Sequence, residues 1–394
     1  MSSRKSKIDF SGYTELNRVK LVRGGKEYFE QLIAMIDSAG ESVHLQTYIY
    51  AEDETGRMVA DALKRAAKRN VQVYIVIDGY ASQGISSQFI HELLEAGVHF
   101  RFFEPIFKSK YYYFGRRLHH KLAVTDTRFA LVGGINISDN YNDMPNKPAW
   151  LDFAVYVEGE IAQEICVLSW KTWYSFPAHM NDTPCEQEQL KFDFGSVEEC
   201  QVRIRRNDWV RRKNEVTRTY VDIFQHAKKE IIIVASYFLP GKLFRRQIAK
   251  ATGRGVKLRV VVTGTSDVLI GKQAERYMYR WLLINGIEIF EYQPSILHGK
   301  IAICDNEWLT LGSFNVNNIS AFASIELNLD VKHESFVNSV KQTVEGIIKN
   351  NCTKITIENV QSGSHLLIRI WQRICYEFVR FLFFVFTFYF RHKE

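Results

Sequence analysis

The apolar positions of this chain follow two periods that take turns. In residues 26–39 (KEYFEQLIAMIDSA) and 56–69 (GRMVADALKRAAKR) they recur every three to four residues, the spacing of a helix with one buried face. In residues 43–50 (VHLQTYIY) and 71–78 (VQVYIVID) they form short runs rich in Val and Ile, the pattern of buried strands. Helices alternating with such strands predict α/β units. The pattern then returns. Residues 41–48 match 230–237 at a distance of 189 positions, 71–79 match 256–264 at 185, and 119–136 match 298–315 at 179. A distance that shrinks slowly while the order is kept predicts two copies of one fold with small indels between them. We therefore expect an α/β protein of two similar domains, residues 1–176 and 200–350. Between them, residues 177–199 carry two prolines and six acidic residues from Asp182 to Glu199, a composition that suits a solvated linker.

The carboxyl-terminal stretch, residues 351–394, follows neither copy. In it Arg369, Arg373, Glu377 and Arg380 share one helical face, with Ile370, Trp371, Ile374 and Phe378 on the other side. Seven of the ten residues 381–390 are aromatic and none is charged. That uncharged run is about half of the ~20 residues a spanning helix needs. An amphipathic element lying in a membrane interface is expected; the alternative is a helix or strand docked on the protein's own core.

Composition changes this picture little. The 394 residues are 46% hydrophobic and 24% charged, which excludes disordered, collagen-like and coiled-coil chains. Six cysteines (Cys166, Cys185, Cys200, Cys304, Cys352, Cys375) include no CxxC pair. Neither a disulfide framework nor a zinc ribbon is expected, and a reduced, cytosol-facing protein fits. The first ten residues lead into no apolar run, so no secretory signal is expected. The net charge of +7 suggests an acidic partner without separating nucleic acid from anionic lipid.

The chemistry lies in the repeated segment. His119-His120-Lys121 is followed by LAVT, Asp126, six residues and Gly133-Gly134-Ile135-Asn136; His298-Gly299-Lys300 is followed by IAIC, Asp305, six residues and Gly312-Ser313-Phe314-Asn315. In a strand, residues two apart face one side, so each His and Lys point together. Histidine exchanges protons near neutral pH and can attack phosphorus, and the lysine supplies positive charge where a phosphoryl group is negative. The glycines allow close backbone approach, and the Asn amides can donate to phosphate oxygens. Asp152 and Glu326 stand 33 and 28 residues after their histidines, each interrupting an apolar strand-like run, where a carboxylate is costly unless paired.

With this doubled H-x-K-x4-D-x6-G-[GS] pattern the chain resembles the phospholipase D superfamily over about residues 15–340. The resemblance implies two α/β/α sandwich domains in a pseudo-twofold pair, with both motifs in one cleft. It implies that one of His119 and His298 attacks phosphorus to form a phosphohistidine, and by family analogy His119. The other protonates the leaving alcohol and then deprotonates the acceptor. Lys121, Lys300, Asn136 and Asn315 would hold phosphate oxygens, while Asp126 and Asp305 complete the motif and more plausibly brace strand and loop. Asp152 and Glu326 would orient the imidazoles. No cofactor and no metal are implied.

Residues 17–82, GGINISDNY and WLDFAVYVEG look like bacterial cardiolipin synthases, and SYFLP (236–240) is compatible. That likeness implies transfer of a phosphatidyl group from phosphatidylglycerol to a second phospholipid's headgroup alcohol. Hydrolysis to phosphatidic acid would use the same site. Most such enzymes carry two amino-terminal transmembrane helices, which this chain lacks. The chain resembles shorter forms attached peripherally to the cytoplasmic side of the cell membrane, with the tail as anchor. Ahead of the first motif, Lys108, Lys110, Arg116 and Arg117 interleave with aromatic residues, which suits anionic headgroups or single-stranded nucleic acid. The family's tyrosyl-DNA phosphodiesterases usually lack the motif aspartate and its small nucleases carry one motif per chain, so no nucleic acid is expected. The cluster Arg203, Arg205, Arg206, Arg211, Arg212 and Lys213 is expected to form a charged face where the second domain begins.

Overall fold

The computed structural model describes residues 12–104, 116–176, 185, 192–195, 199–317, 324–362 and 366–391. In the first half, strands β1 (Asn17–Arg23), β2 (Ser42–Thr47), β3 (Gln72–Asp78) and β4 (His99–Phe103) are separated by helices α1 (Lys26–Ser38), α2 (Glu54–Lys68) and α3 (Ser87–Glu95). There follow β5 (Arg117–Leu118), β6 (Leu122–Thr125), β7 (Phe129–Gly133), β8 (Phe153–Gly159) and α4 (Glu160–Trp173). The second half has β9 (Gln201–Asp208), β10 (Lys213–Asn214), α5 (Glu215–His226), β11 (Glu230–Ala235), α6 (Lys242–Gly253), β12 (Lys257–Thr263), α7 (Leu269–Ile284) and β13 (Ile287–Tyr292). It continues with β14 (Ile301–Cys304), β15 (Trp308–Gly312), β16 (Ser324–Lys332), α8 (Glu334–Asn351), β17 (Cys352–Ile355), α9 (Ile357–Ser362) and α10 (Leu366–Arg391).

The two sheets repeat one topology. The first is ordered β1-β8-β7-β6-β2-β3-β4; the second runs β9-β16-β15-β14-β11-β12-β13 in the same sense, with β10 and β17 added at its edges. In each, the Val/Ile-rich strands pair in parallel (β2–β3–β4, β11–β12–β13) and the motif strands β6 and β14 join them antiparallel. The period of two sorts each strand between two cores. Val73, Ile75 and Ile77 of β3 face α1–α3, whereas Val76 faces the other half; Ile231 and Ile233 of β11 face α5–α7, whereas Ile232 and Val234 face inward. The inner faces of both sheets, with α4 and α8, build one shared core. The halves are packed as continuously as a single domain.

Three expectations are corrected here. Cys166 and Cys185 form a disulfide, in which Cys200, Cys304, Cys352 and Cys375 take no part. Cys166 lies on α4 and is buried, as is Cys185 in the segment read as a solvated linker, and Phe192 and Phe194 of that segment are buried too. Arg18 and Arg128 lie over their rings. Of the expected charged face, Arg211, Arg212 and Lys213 are exposed, but the arginines of β9 turn inward: Arg203 bonds Asp330 through Nε and Nη2, Arg205 bonds Thr219, and Arg206 approaches Glu215. They offset the carboxylates that β16 and α5 bring inward.

The tail is a helix docked on the rest of the protein, with an apolar face left uncovered. α10 docks one face on α7, burying Cys375 against Leu239, Ala274 and Met278. A second face, with Leu367, Ile370, Trp371, Ile374, Phe378 and Phe381, remains exposed. Its helical spacing sets the charged Arg369, Arg373, Glu377 and Arg380 on a third. Among the described residues, no helix is long and apolar enough to cross a membrane.

Candidate active site

The two motifs meet because each is threaded onto the strand of the opposite half. Leu118 pairs in parallel with Ile325, and the next amide, that of His119, donates to Ile325 O at 3.0 Å. Leu297 pairs with Leu151, and His298 N donates to Leu151 O at 2.8 Å. Ile325 precedes Glu326 and Leu151 precedes Asp152. The backbone register therefore delivers each histidine to a carboxylate made by the other half.

The side chains complete that exchange. His119 Nδ1 lies 2.8 Å from Glu326 Oε2, and His298 Nδ1 lies 2.6 Å from Asp152 Oδ2. Both carboxylates are inaccessible to solvent. The imidazole beside Glu326 holds its carboxyl below the ordinary glutamate range against the cost of burial. An ionised carboxylate only accepts, so each Nδ1 carries the proton and each Nε2 keeps its lone pair.

Lys121 Nζ donates to His119 O at 2.8 Å, and Lys300 Nζ reaches His298 O and stands 3.8 Å from Asp152. Burial pushes the Lys121 ammonium down to about 7 and Lys300 to about 8, partly opposed by Glu326 and Asp152. Burial also lowers His119, and lowers His298 to about 4 with Lys300 adding to the effect. Burial thus weakens the hold of these groups on their charge, and an anion entering the cleft would restore the positive state.

The glycines are explained by close approach. A Cβ on Gly134 would stand 2.4 Å from Asp152 Oδ1, and one on Gly133 2.4 Å from Phe153 O. In the second motif Ser313 replaces Gly134. Its hydroxyl donates to Glu326 Oε2, while Ser324 Oγ donates to Oε1 at 2.6 Å. The longer glutamate therefore carries two hydroxyl donors that Asp152 lacks, so the two histidines are not equivalent.

The other sequence-predicted residues divide. Asp126 accepts the amides of Gly40, Glu41 and Ser42, and Asp305 those of Lys228, Lys229 and Glu230. Both clamp the start of a central strand, far along β6 and β14 from the histidines. Asn136 Oδ1 accepts Ile49 N and its amide donates to Tyr141 OH at 2.8 Å; Asn315 is buried at the matching position. Of the basic run before the first motif, residues 105–115 lie outside the described residues. Arg116 is buried, pairing with Asp208 at 3.0 Å, and Arg117 lies 3.7 Å from Asp78, so neither is a headgroup-facing cation.

Sequence reasoning missed several neighbours. Tyr141 OH stands 3.3 Å from His298 Nε2, the Tyr48 ring packs edge-on against His119 at 4.8 Å, and Lys121 Nζ lies over that ring. Asp78 Oδ2 accepts Leu118 N, and Thr263 Oγ1 accepts Leu297 N, so each motif's entry is held by the last residue of β3 or β12. The alignment of 71–79 with 256–264 contained that signal, since Asp78 and Thr263 are matched positions in it. Among the described residues no group of three or more His, Cys, Asp or Glu could hold a metal.

Paired α/β lobes sharing one cleft through two H-x-K strands are the architecture of a phospholipase D-like phosphoryl-transfer enzyme. The family described as "Cardiolipin synthase, PLD-like domain" matches residues 32–149 and 220–348, one motif in each stretch. Cardiolipin synthase B of Escherichia coli K12 is 31% identical over 347 residues, covering 87% of this chain and 83% of that protein. Cardiolipin synthase 1 of Bacillus cereus is 28% identical, covering 92% and 71%. The crystal structure of phosphatidylserine synthase from Haemophilus influenzae shares the fold at TM-score 0.72 and 14% identity, covering 94% of this chain and 96% of that one. The chain belongs to the phospholipase D superfamily, close to its cardiolipin synthases, and is a phosphatidyltransferase of that superfamily.

Proposed function

We propose that this protein transfers a phosphatidyl group from phosphatidylglycerol to the headgroup alcohol of a second phospholipid, through a phosphohistidine. The crossed pairing of each histidine with the other half's carboxylate carries the reading, because it leaves two Nε2 atoms poised in one cleft with two buried ammoniums. The Nε2 lone pair of His119 forms the bond to phosphorus as the bond to the glycerol oxygen breaks, and His298, which takes up a proton at Nε2 when the anionic phosphate binds, gives that oxygen this proton. His298 then takes the proton of the incoming headgroup hydroxyl, whose oxygen displaces the histidine from phosphorus. Tyr141 beside His298 Nε2 suits the acid–base role for that residue and leaves the attack to His119. Lys121 and Lys300 balance charge on the phosphate oxygens, and Asn136 and Asn315 border them. Attachment is peripheral, through the exposed apolar face of α10.

Incubating purified protein with phosphatidylglycerol vesicles and following lipids by mass tests this. Cardiolipin with an equivalent of free glycerol is expected. Phosphatidic acid alone would replace transfer by hydrolysis, and no turnover would sink both.

The lysines set the expected pH dependence. In the free enzyme their protons leave as pH rises through about 7 to 8, well below the ordinary lysine value of about 10.4. The phosphate then loses its cations, so kcat/KM falls on the alkaline side of neutrality. A profile of kcat/KM that stays level to pH 9.5 would contradict the assignment. Lys121→Arg keeps its charge and should move the limb up towards the value set by Lys300.

A further inference from the structure

α7 and α10 run side by side in one direction. Gln372 Nε2 lies 3.4 Å from Gln273 Oε1, and a turn later the Tyr277 and Tyr376 rings are 4.9 Å apart. Both contacts join residues 99 positions apart. Carried one turn back, that register sets Leu367 and Ile368 beside Val268 and Leu269.

This end of α7 is the rim of the cleft. Thr263, five residues before Val268, holds the amide next to His298. Asp267 accepts the Tyr237 hydroxyl at 2.5 Å, and its charge is felt at both Tyr141 and Lys300. The Tyr237 ring lies against the first turn of α7, 3.8 Å from where a Cβ on Gly271 would stand.

A rim that served only a water-soluble substrate would be polar. Here Val268, Leu269 and Ile270 are 48%, 73% and 42% exposed, and Leu366 and Leu367 beside them more than 70%. Leu243, at the start of α6, is also exposed. Lys242, Arg369 and Arg373 flank these apolar groups and are exposed. Bulky apolar side chains edged by cations complement acyl chains below a layer of anionic headgroups.

We infer that the first turn of α7 enters an anionic lipid leaflet at the mouth of the cleft. α10 lies along it in the interface, so lipid passes sideways from the leaflet to the two histidines. The inference rests on the proposed lipid substrate and adds the surface through which that substrate arrives. It assigns insertion to residues outside the tail, in a segment whose helix also shapes the site.

The test uses the full-length protein and its Leu269→Glu/Ile270→Glu variant, with α10 untouched. Turnover is compared on phosphatidylglycerol vesicles and on dihexanoyl phosphatidylglycerol dissolved as monomers, alongside vesicle co-sedimentation. Vesicle binding and vesicle turnover should fall at least about tenfold, the equivalent of withdrawing one buried side chain from an apolar phase. Monomer turnover should stay within about twofold. Leu269→Met should restore the vesicle activity. Unchanged vesicle turnover would overturn the inference. Equal loss on monomers would do so as well, since the turn would then be shaping the site. Loss of self-association with vesicle binding intact would assign the face to a second copy and overturn it too. If the unaltered protein turns over neither lipid, the proposed function fails, and co-sedimentation alone still decides the inference.

Discussion

His119→Ala and His298→Ala should each lower phosphatidyl transfer by at least about 10⁴-fold while leaving the melting temperature close to that of the unaltered protein. Each histidine serves a different bond. Without His119 nothing attacks phosphorus; without His298 the leaving oxygen departs unprotonated and the acceptor keeps its proton. Residues that act as one unit are not additive, so the double variant should be no worse than either single one. Both imidazoles sit at the cleft, His119 on Glu326 and His298 between Asp152, Lys300 and Tyr141, while the strands that carry them are held by backbone pairing that truncation leaves in place. Transfer assays with circular dichroism as the fold control decide the matter. Substantial activity in either variant rules out a shared two-histidine site.

The second large effect is expected at the carboxylates. Asp152→Asn and Glu326→Gln keep shape and hydrogen-bonding capacity but remove the charge that selects the Nδ1–H tautomer. Each should cost about 10²–10⁴-fold in kcat, the range of one acid–base group. The losses should differ in kind. Glu326 is also held by Ser313 and Ser324, so its neutral amide stays seated and the pH dependence of the His119 step shifts. Asp152 has the backbone amide of Phe153 and nearby Lys300, so neutralising it also leaves a buried cation underpaired. A lower melting temperature is therefore expected for Asp152→Asn than for Glu326→Gln. Equal melting temperatures would contradict the asymmetry between Gly134 and Ser313.

Much of this was legible in the chain because periodicity and repetition are local properties. The period of two exposed the strands, the internal match exposed the twofold architecture, and the apolar setting of Asp152 and Glu326 marked both as costly groups that need partners. What the chain did not disclose depends on docking. Which histidine meets which carboxylate is decided by the pairing of Leu118 with Ile325 and of Leu151 with Leu297, and pairing between residues so far apart in the chain leaves no local trace. Arg116 reads as one more cation in a basic run until Asp208 closes over it. Cys166 and Cys185 show no motif spacing; they meet only in the folded chain, where Cys185 sits against α4. Tyr141 and Ser313 look like ordinary polar residues after a strand, and only the assembled cleft makes them neighbours of His298 and Glu326.

The crossed carboxylates also impose an order of events on synthesis. When His119 leaves the ribosome, Glu326 is still about 200 codons from being made, and Asp152 has no imidazole to hold until His298 follows. No partial chain can attack the lipids around it, however well its first sheet has folded. Residues 366–391, with their exposed apolar face, come later still. Competence therefore waits for Glu326, long after the first sheet is complete.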